Sequence, residues 1–387
     1  MNRVTIDLQG LRHNIKVIKG WMDKHQASWT VVTKVLCGHT STLTALQSLG
    51  IKSMGDSRLT NLRAIKKITP DLETWYLRVA DLSSVKDVVS LADVSLNSET
   101  EVIISLNDEA KKIDRVQRII IMIELGDLRE GILPGSLIEF YETVFDLSNI
   151  EVIGIGANLG CLAGAVPNID QFTQLALYRE LLELKFKRKL QLISAGSSAV
   201  LPLLLEGTLP KAINHFRIGE AIFLGTDLIN GGTLPGLKDD AIILEAEIAE
   251  IKEKGLVPLA ETISMTPFES DQVNGDLSPG QRGFRALVSV GQLDTEITGL
   301  TPINSDYHIA GASSDVTVVN IGDDQGGLNV GDTIKFRLNY AALLRLMSGK
   351  YIDKVVSPSL DKFENLLESE LLEVEPAIEA ATEDYPE

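Results

Sequence analysis

The chain has 387 residues, 44% hydrophobic and 23% charged, a globular composition with room for more than one domain. Its net charge of −18 argues against nucleic acid as a partner, and no apolar run reaches the length of a membrane span. The N-terminal MNRVTIDLQG is no signal peptide, and the two cysteines, Cys37 and Cys161, lack metal-type spacing, so a reducing cytoplasm is the expected compartment.

Residues 3–8 read as a short strand and residues 11–25 as a helix. A rhythm then begins. Apolar runs at 30–34, 51–55, 74–79, 92–96, 118–125, 151–156, 190–194 and 213–217 alternate with helical patterns at 40–49, 57–68, 81–90, 98–112, 135–147, 168–188 and 197–206. Alternation of this kind means βαβ units and a parallel sheet. Eight such strands predict an α/β fold, a (β/α)8 barrel over residues 9–235. An open doubly wound sheet would need a glycine-rich dinucleotide turn after an early strand, and none is present.

After Gly236 the texture changes to β-rich segments at 242–252, 283–291, 296–303, 308–321 and 333–340, separated by Gly, Asp, Asn and Pro. This predicts an all-β domain over residues 236–356. Residues 357–387 carry ten carboxylates and one lysine, and are expected to be a solvated helix with a disordered end.

In a barrel the chemistry gathers at the C-terminal ends of the strands. The first barrel strand ends at Lys34. Desolvation there would lower the pKa of the amine and make it a nucleophile; the ordinary alternative is a strand-end lysine that simply reaches water. Asp56 and Arg58 follow the second strand. Gly-Asp-Leu-Arg-Glu-Gly, 126–131, with Arg129, follows the fifth, and Asn158 the sixth. Ser-Ala-Gly-Ser-Ser-Ala, 194–199, follows the seventh and opens a helix. Backbone N–H groups there, with Ser197 and Ser198, would hold a phosphate, although a serine such as Ser197 more often only caps its helix. His-Phe-Arg-Ile-Gly-Glu, 215–220, follows the eighth and adds Arg217 and Gly219. An amine beside a phosphate cradle suggests pyridoxal 5'-phosphate. A sugar-phosphate aldolase competes, but it has no use for a cation such as Arg217 placed to meet a ring nitrogen.

These motifs are those of a known group. Val-Val-Thr-Lys34, Gly-Asp-Leu-Arg129-Glu-Gly, Ser-Ala-Gly-Ser-Ser-Ala and Arg217-Ile-Gly-Glu-Ala-Ile resemble the alanine racemase-like, fold-type III pyridoxal phosphate enzymes. Gly55-Asp-Ser-Arg-Leu-Thr-Asn-Leu, Gly-Ile-Gly-Ala-Asn158-Leu-Gly-Cys and Gly311-Ala-Ser-Ser-Asp315 resemble the ornithine racemase branch. The likeness runs in order over residues 1–356. It implies a cytoplasmic, head-to-tail homodimer with shared active sites, a barrel followed by a β domain, and a first strand (1–8) that joins that domain. It implies an amino-acid racemase in which Lys34 carries the cofactor as a Schiff base and removes the α-proton. It places Ser198, Gly219 and Glu220 at the phosphate, the last two through backbone N–H, with Ser194 and Ser197 of the same loop among the cofactor-binding residues. Arg217 would face the ring nitrogen, Asn158 and Tyr351 would touch the cofactor, and Arg129 would approach the substrate carboxylate. Ser313 and Ser314 would come from the partner, and Asp315 is a candidate second base.

There are departures. The tyrosine that serves alanine racemases as second base has no match in residues 264–285. Met122 replaces a lysine that is carbamylated in many of them, and His39 is as well explained as a helix-start residue. No metal site is evident. An alanine or broad-specificity racemase is one alternative. A D-amino-acid aldolase or decarboxylase of the same fold is another, though the aldolases need a metal site. A non-enzymatic pyridoxal phosphate carrier or a binding module fits less well. For the substrate, ornithine or lysine is expected, with its second ammonium met by Asp56, Asp127, Glu130, Asp294, Glu296 or Asp315.

Overall fold

The structure is a computed structural model that describes residues 1–160, 162, 164–257 and 280–370. The elements in chain order begin with β1 (Arg3–Asp7), α1 (Leu8–His25), β2 (Ser28–Val32), α2 (Thr40–Ser48), β3 (Ser53–Asp56) and α3 (Leu59–Ile68). They continue with β4 (Glu73–Tyr76), α4 (Val85–Leu91), β5 (Val94–Asn97), α5 (Thr100–Lys112), β6 (Gln117–Met122) and α6 (Leu137–Phe145). Next come β7 (Ile150–Gly156), α7 (Ile169–Phe186), β8 (Leu192–Ser197), α8 (Leu201–Leu205), β9 (His215–Ile218) and α9 (Glu220–Leu224). The later chain forms β10 (Ile242–Gly255), β11 (Arg282–Val288), β12 (Leu300–Pro302), β13 (His308–Ala312), β14 (Thr317–Gly322), β15 (Thr333–Leu338), α10 (Tyr340–Ser348) and β16 (Asp353–Ser357).

Strands β2 to β9 pair in sequence order, all parallel, and β9 closes on β2. The expected (β/α)8 barrel is therefore present, within a compact unit spanning Leu11–Lys238. Its strands are buried on both faces under a ring of helices, and most of their side chains are apolar. One core cluster joins Trp75, Val94, Leu96, Ile120, Met122 and Ile153, all buried. Burying each such side chain contributes about 1.5–3 kcal/mol. Register sets the mouth. Val31 on β2 lies opposite Ile218 on β9, so Lys34 and Glu220, a few residues further on, emerge side by side at one end.

The second unit contains Met1–Gly10 and the described chain from Asp239 onward. Its sheet runs β12-β15-β10-β11-β14-β13, with β1 antiparallel to β10 and parallel to β16. Three features differ from the sequence reading. The run 308–321 is two strands, β13 and β14, joined by a turn at 313–316. Residues 340–348 form a helix inside what reads as an all-β domain; Asn339 caps it by accepting from Ala342 N–H at 2.9 Å. Residues 360–370 are helical, and Phe363 is fully buried, so this part of the acidic tail is not simply solvated. The remainder of the tail lies outside the described residues. Among the described residues, no helix is long and apolar enough to cross a membrane, and no group of three His, Cys, Asp or Glu is arranged to hold a metal.

Candidate active site

The backbone at Lys34 is tightly fixed. The residue opens a 3-10 turn, Lys34–Leu36, in which Val35 and Leu36 are fully buried. Cys37 ends the turn in the left-handed region (φ 50°), and its N–H donates to Lys34 O at 3.3 Å. Thr33 N–H donates to Gly55 O at 2.9 Å, tying the turn to β3. The Lys34 side chain is exposed, not desolvated as its place on a buried strand had suggested. The turn buries its two apolar residues and leaves the lysine facing out. Glu220 stands beside it. Burial raises the Glu220 carboxyl from 4.5 to about 7, against the pull of the Lys34 charge.

The loops after β8 and β9 meet at this end. Ser198 Oγ accepts from Ala221 N–H at 3.2 Å. A Cβ on Gly219 would lie 2.9 Å from Val32 O, so only glycine lets the β9–α9 turn close onto β2. A Cβ on Gly196 would strike the Phe216 ring at 2.0 Å, so that glycine serves packing between β8 and β9. Ser197 occupies the N-cap position of the turn Ser198–Val200 but makes no capping bond, which removes the ordinary explanation for it. Its Oγ is buried and has no hydrogen-bond partner. An orphaned buried hydroxyl is unfavourable by about 1–3 kcal/mol, and a ligand oxygen would satisfy it. A hydroxyl lacking a partner, a cradle open only to glycine and a nearby amine fit the phosphate and the aldehyde carbon of pyridoxal phosphate.

Arg217 is buried at the end of β9. Its Nη1 donates to both Ser194 O and Ser194 Oγ; its Nη2 donates to Ala157 O at 2.9 Å and to Asn158 Oδ1 at 2.6 Å. Asn158 Nδ2 in turn donates to Glu130, which pairs with Arg129. Arg217, Asn158, Glu130 and Arg129 thus form one chain of charge and hydrogen bonds across the ends of β6, β7 and β9. Ser194 is fully buried behind Arg217, deeper than Ser197 and Ser198.

The loop carrying Arg129 is shaped by Glu124, which the sequence reading missed. Its carboxylate accepts from the N–H groups of Gly126, Leu128 and Arg129. A carboxylate two residues before a glycine in a strand-end loop was the available signal. Asp127 is buried and accepts from Leu162 N–H at 3.1 Å. Asp56 is fully buried under Thr33, Arg58 and Asn61, so it cannot meet a substrate ammonium.

The remaining residues named from the sequence belong to the sheet unit. Ser313, Ser314 and Asp315 form the β13–β14 turn, with Ser314 Oγ donating to Asp315 Oδ2 at 2.7 Å. Asp294 accepts from Gly291 N–H, and Glu296 pairs with Arg345 at 2.9 Å. Tyr351 is 72% exposed and carries the Lys350 ammonium over its ring. Met122 is core. His39 Nδ1 lies 2.8 Å from Thr42 Oγ1 at the start of α2. Most of the range searched for a second-base tyrosine, 264–279 of 264–285, lies outside the described residues.

A barrel whose mouth unites an exposed lysine, buried serine hydroxyls and a buried arginine suits a pyridoxal phosphate enzyme. Comparison with known proteins agrees. The family model of the alanine racemase N-terminal domain matches residues 6–227. The ornithine racemase of Acetoanaerobium sticklandii is 36% identical over 355 residues, covering 91% of this chain and 98% of that protein. The lysine racemase of Thermotoga maritima is 30% identical over 361 residues, covering 92% and 99%. The crystal structure of the biosynthetic alanine racemase from Pseudomonas aeruginosa superposes with a TM-score of 0.71 at 16% identity, over 92% of this chain and 99% of that one, which establishes the shared fold. The chain belongs to the alanine racemase family and is a pyridoxal-phosphate-dependent amino-acid racemase.

Proposed function

We propose that this racemase interconverts the L and D forms of a basic amino acid, ornithine or lysine, as a cytoplasmic head-to-tail homodimer. The observation that carries the substrate class is full-length similarity to relatives named for ornithine and for lysine. The −18 charge suits a cationic substrate, because an acidic surface raises its local concentration.

The residue roles proposed here rest on the strand-end residues and on the family resemblance. Pyridoxal phosphate, when bound, supplies an aldehyde that joins amines and a ring that withdraws electrons from the neighbouring C–H bond. Lys34 would hold the cofactor covalently and would hold or return a proton at Nζ on one face of the α-carbon. Racemisation needs a base on each face. Asp315 is the candidate for the other, carried with Ser313 and Ser314 into the mouth of a second copy of the chain. Ser197, Ser198 and the N–H groups of Gly219 and Glu220 would hold the phosphate, and Tyr351 matches a family tyrosine that binds there. Arg217 offers only donors and stays charged, so a ring nitrogen facing it remains unprotonated, which disfavours side reactions such as transamination. Asn158 holds Arg217 in place, and Arg129 meets the substrate carboxylate.

The test is a panel of L-amino acids given to the cofactor-loaded enzyme, with products resolved by chiral chromatography. Ornithine or lysine should turn over far faster than alanine and serine. Faster turnover of alanine or serine would overturn the basic-substrate reading and leave the racemase intact.

A further inference from the structure

Behind Arg217 the barrel interior holds a row of polar groups that phosphate binding and proton transfer do not require. Ser194 Oγ accepts from Arg217 Nη1 and lies 2.8 Å from His215 Nδ1. His215 Nε2 lies 3.1 Å from Thr30 Oγ1, which lies 2.8 Å from Ser53 Oγ. The Trp75 indole stacks on the imidazole, with centroids 4.4 Å apart and planes 8° from parallel. All five side chains are buried, and they come from β2, β3, β4, β8 and β9. A closed apolar layer would suit a barrel core better, since a buried polar network stabilises only when every member is satisfied.

The donor inventory orders the row. A guanidinium can only donate. Ser194 Oγ therefore accepts from Arg217, and its single proton is directed to His215 Nδ1. The imidazole then carries its own proton on Nε2 and gives it to Thr30, whose hydroxyl points to Ser53. This order requires a neutral imidazole. Burial, helped by the Arg217 charge, depresses His215 to about 3 and keeps it neutral.

We propose that Ser194 and His215 are positioning residues for Arg217. The imidazole accepts the Ser194 proton and so turns the serine lone pairs toward the guanidinium. Together with Ala157 O and Asn158 Oδ1, this fixes the guanidinium plane at the mouth. His215 and Arg217 are two residues apart on one strand and so share a face, which places them on the same interior row. The inference rests on the reading that Arg217 faces the cofactor ring.

The experiment is a double-mutant cycle read by cofactor affinity. Cofactor-free protein is titrated with pyridoxal phosphate, followed by absorbance, and its melting temperature is recorded in parallel. Ser194→Ala and His215→Phe should each weaken binding about tenfold, as expected for a lost hydrogen bond to a charged group. In an Arg217→Lys background the same changes should add less than about twofold, the scatter of independent sites. His215→Asn, which returns an acceptor near the serine, should recover much of the loss. Equal effects in both backgrounds would overturn the proposal, because the row would then serve the fold and not the guanidinium. If Arg217→Lys alone leaves affinity and spectrum unchanged, the ring-facing reading fails and takes the proposal with it. Should His215→Phe not fold, the Ser194→Ala cycle decides by the same criterion.

Discussion

Thr33 donates its hydroxyl proton to Asp56 Oδ2 at 2.9 Å, which fastens the residue before Lys34 to the end of the neighbouring strand. Asp56 also accepts from Arg58 N–H at 2.9 Å and from Asn61 Nδ2 at 3.1 Å, so one buried carboxylate holds the Lys34 turn and the start of α3 together. Burial raises its pKa, and these donors oppose the rise. Asp56→Ala removes the acceptor shared by the Thr33 hydroxyl, the Arg58 N–H and the Asn61 amide. It should lower stability by about 2–4 kcal/mol and loosen cofactor attachment at Lys34. Urea unfolding and borohydride trapping of the cofactor-bound protein measure the two effects.

Lys34→Ala should abolish both racemisation and covalent attachment of the cofactor. Borohydride reduction followed by peptide mass spectrometry locates the modified residue in the parent enzyme. Labelling of the variant at a different single lysine would show that the anchor lies elsewhere.

Glu220 gives the fold a pH slope. Its folded pKa of about 7 lies above the unfolded 4.5, so between these values the native state keeps a proton that the unfolded chain has lost. Stability should therefore fall as pH rises from about 4.5 to about 7, by up to about 3 kcal/mol. Glu220→Gln should flatten that slope. Denaturant titrations of the cofactor-free protein across this range check the sign, and an unchanged slope would assign it to another group.

Phe363 is fully buried within the helical stretch 360–370. Phe363→Ala should cost about 3–5 kcal/mol through lost burial and the cavity it leaves. Truncation after residue 356 should destabilise at least as much. Scanning calorimetry measures both effects.

His-Phe-Arg in β9 shows how far a strand can be read locally. Alternation alone places His215 on the face of Arg217, so the pairing was available in the sequence. That Ser194, twenty-one residues earlier, stands between them was not, because it depends on the β8–β9 register. The helix at 340–348 was legible in the same way, through Asn339 followed by apolar residues at helical spacing. A neighbouring β-rich run masked it.

By itself the sequence determined the barrel and put Lys34 at its mouth. Apolar runs spaced by amphipathic helices admit few arrangements, and parallel strands in chain order close into one ring with every strand end at one mouth. Lys34, Arg129, Asn158, Ser197, Ser198 and Arg217 were therefore identifiable as strand-end residues before any contact was known. Only the tertiary structure decided what each touches. Ser197 lacks a partner, Ser194 is buried behind Arg217, Asp56 is sealed under Thr33, and Glu130 joins Arg129 to Asn158. It also decided that β1 lies between β10 and β16. The physical reason is range. Periodicity is written in neighbouring residues, whereas burial, hydrogen-bond partners and charge state come from residues that are distant along the chain and adjacent only after folding.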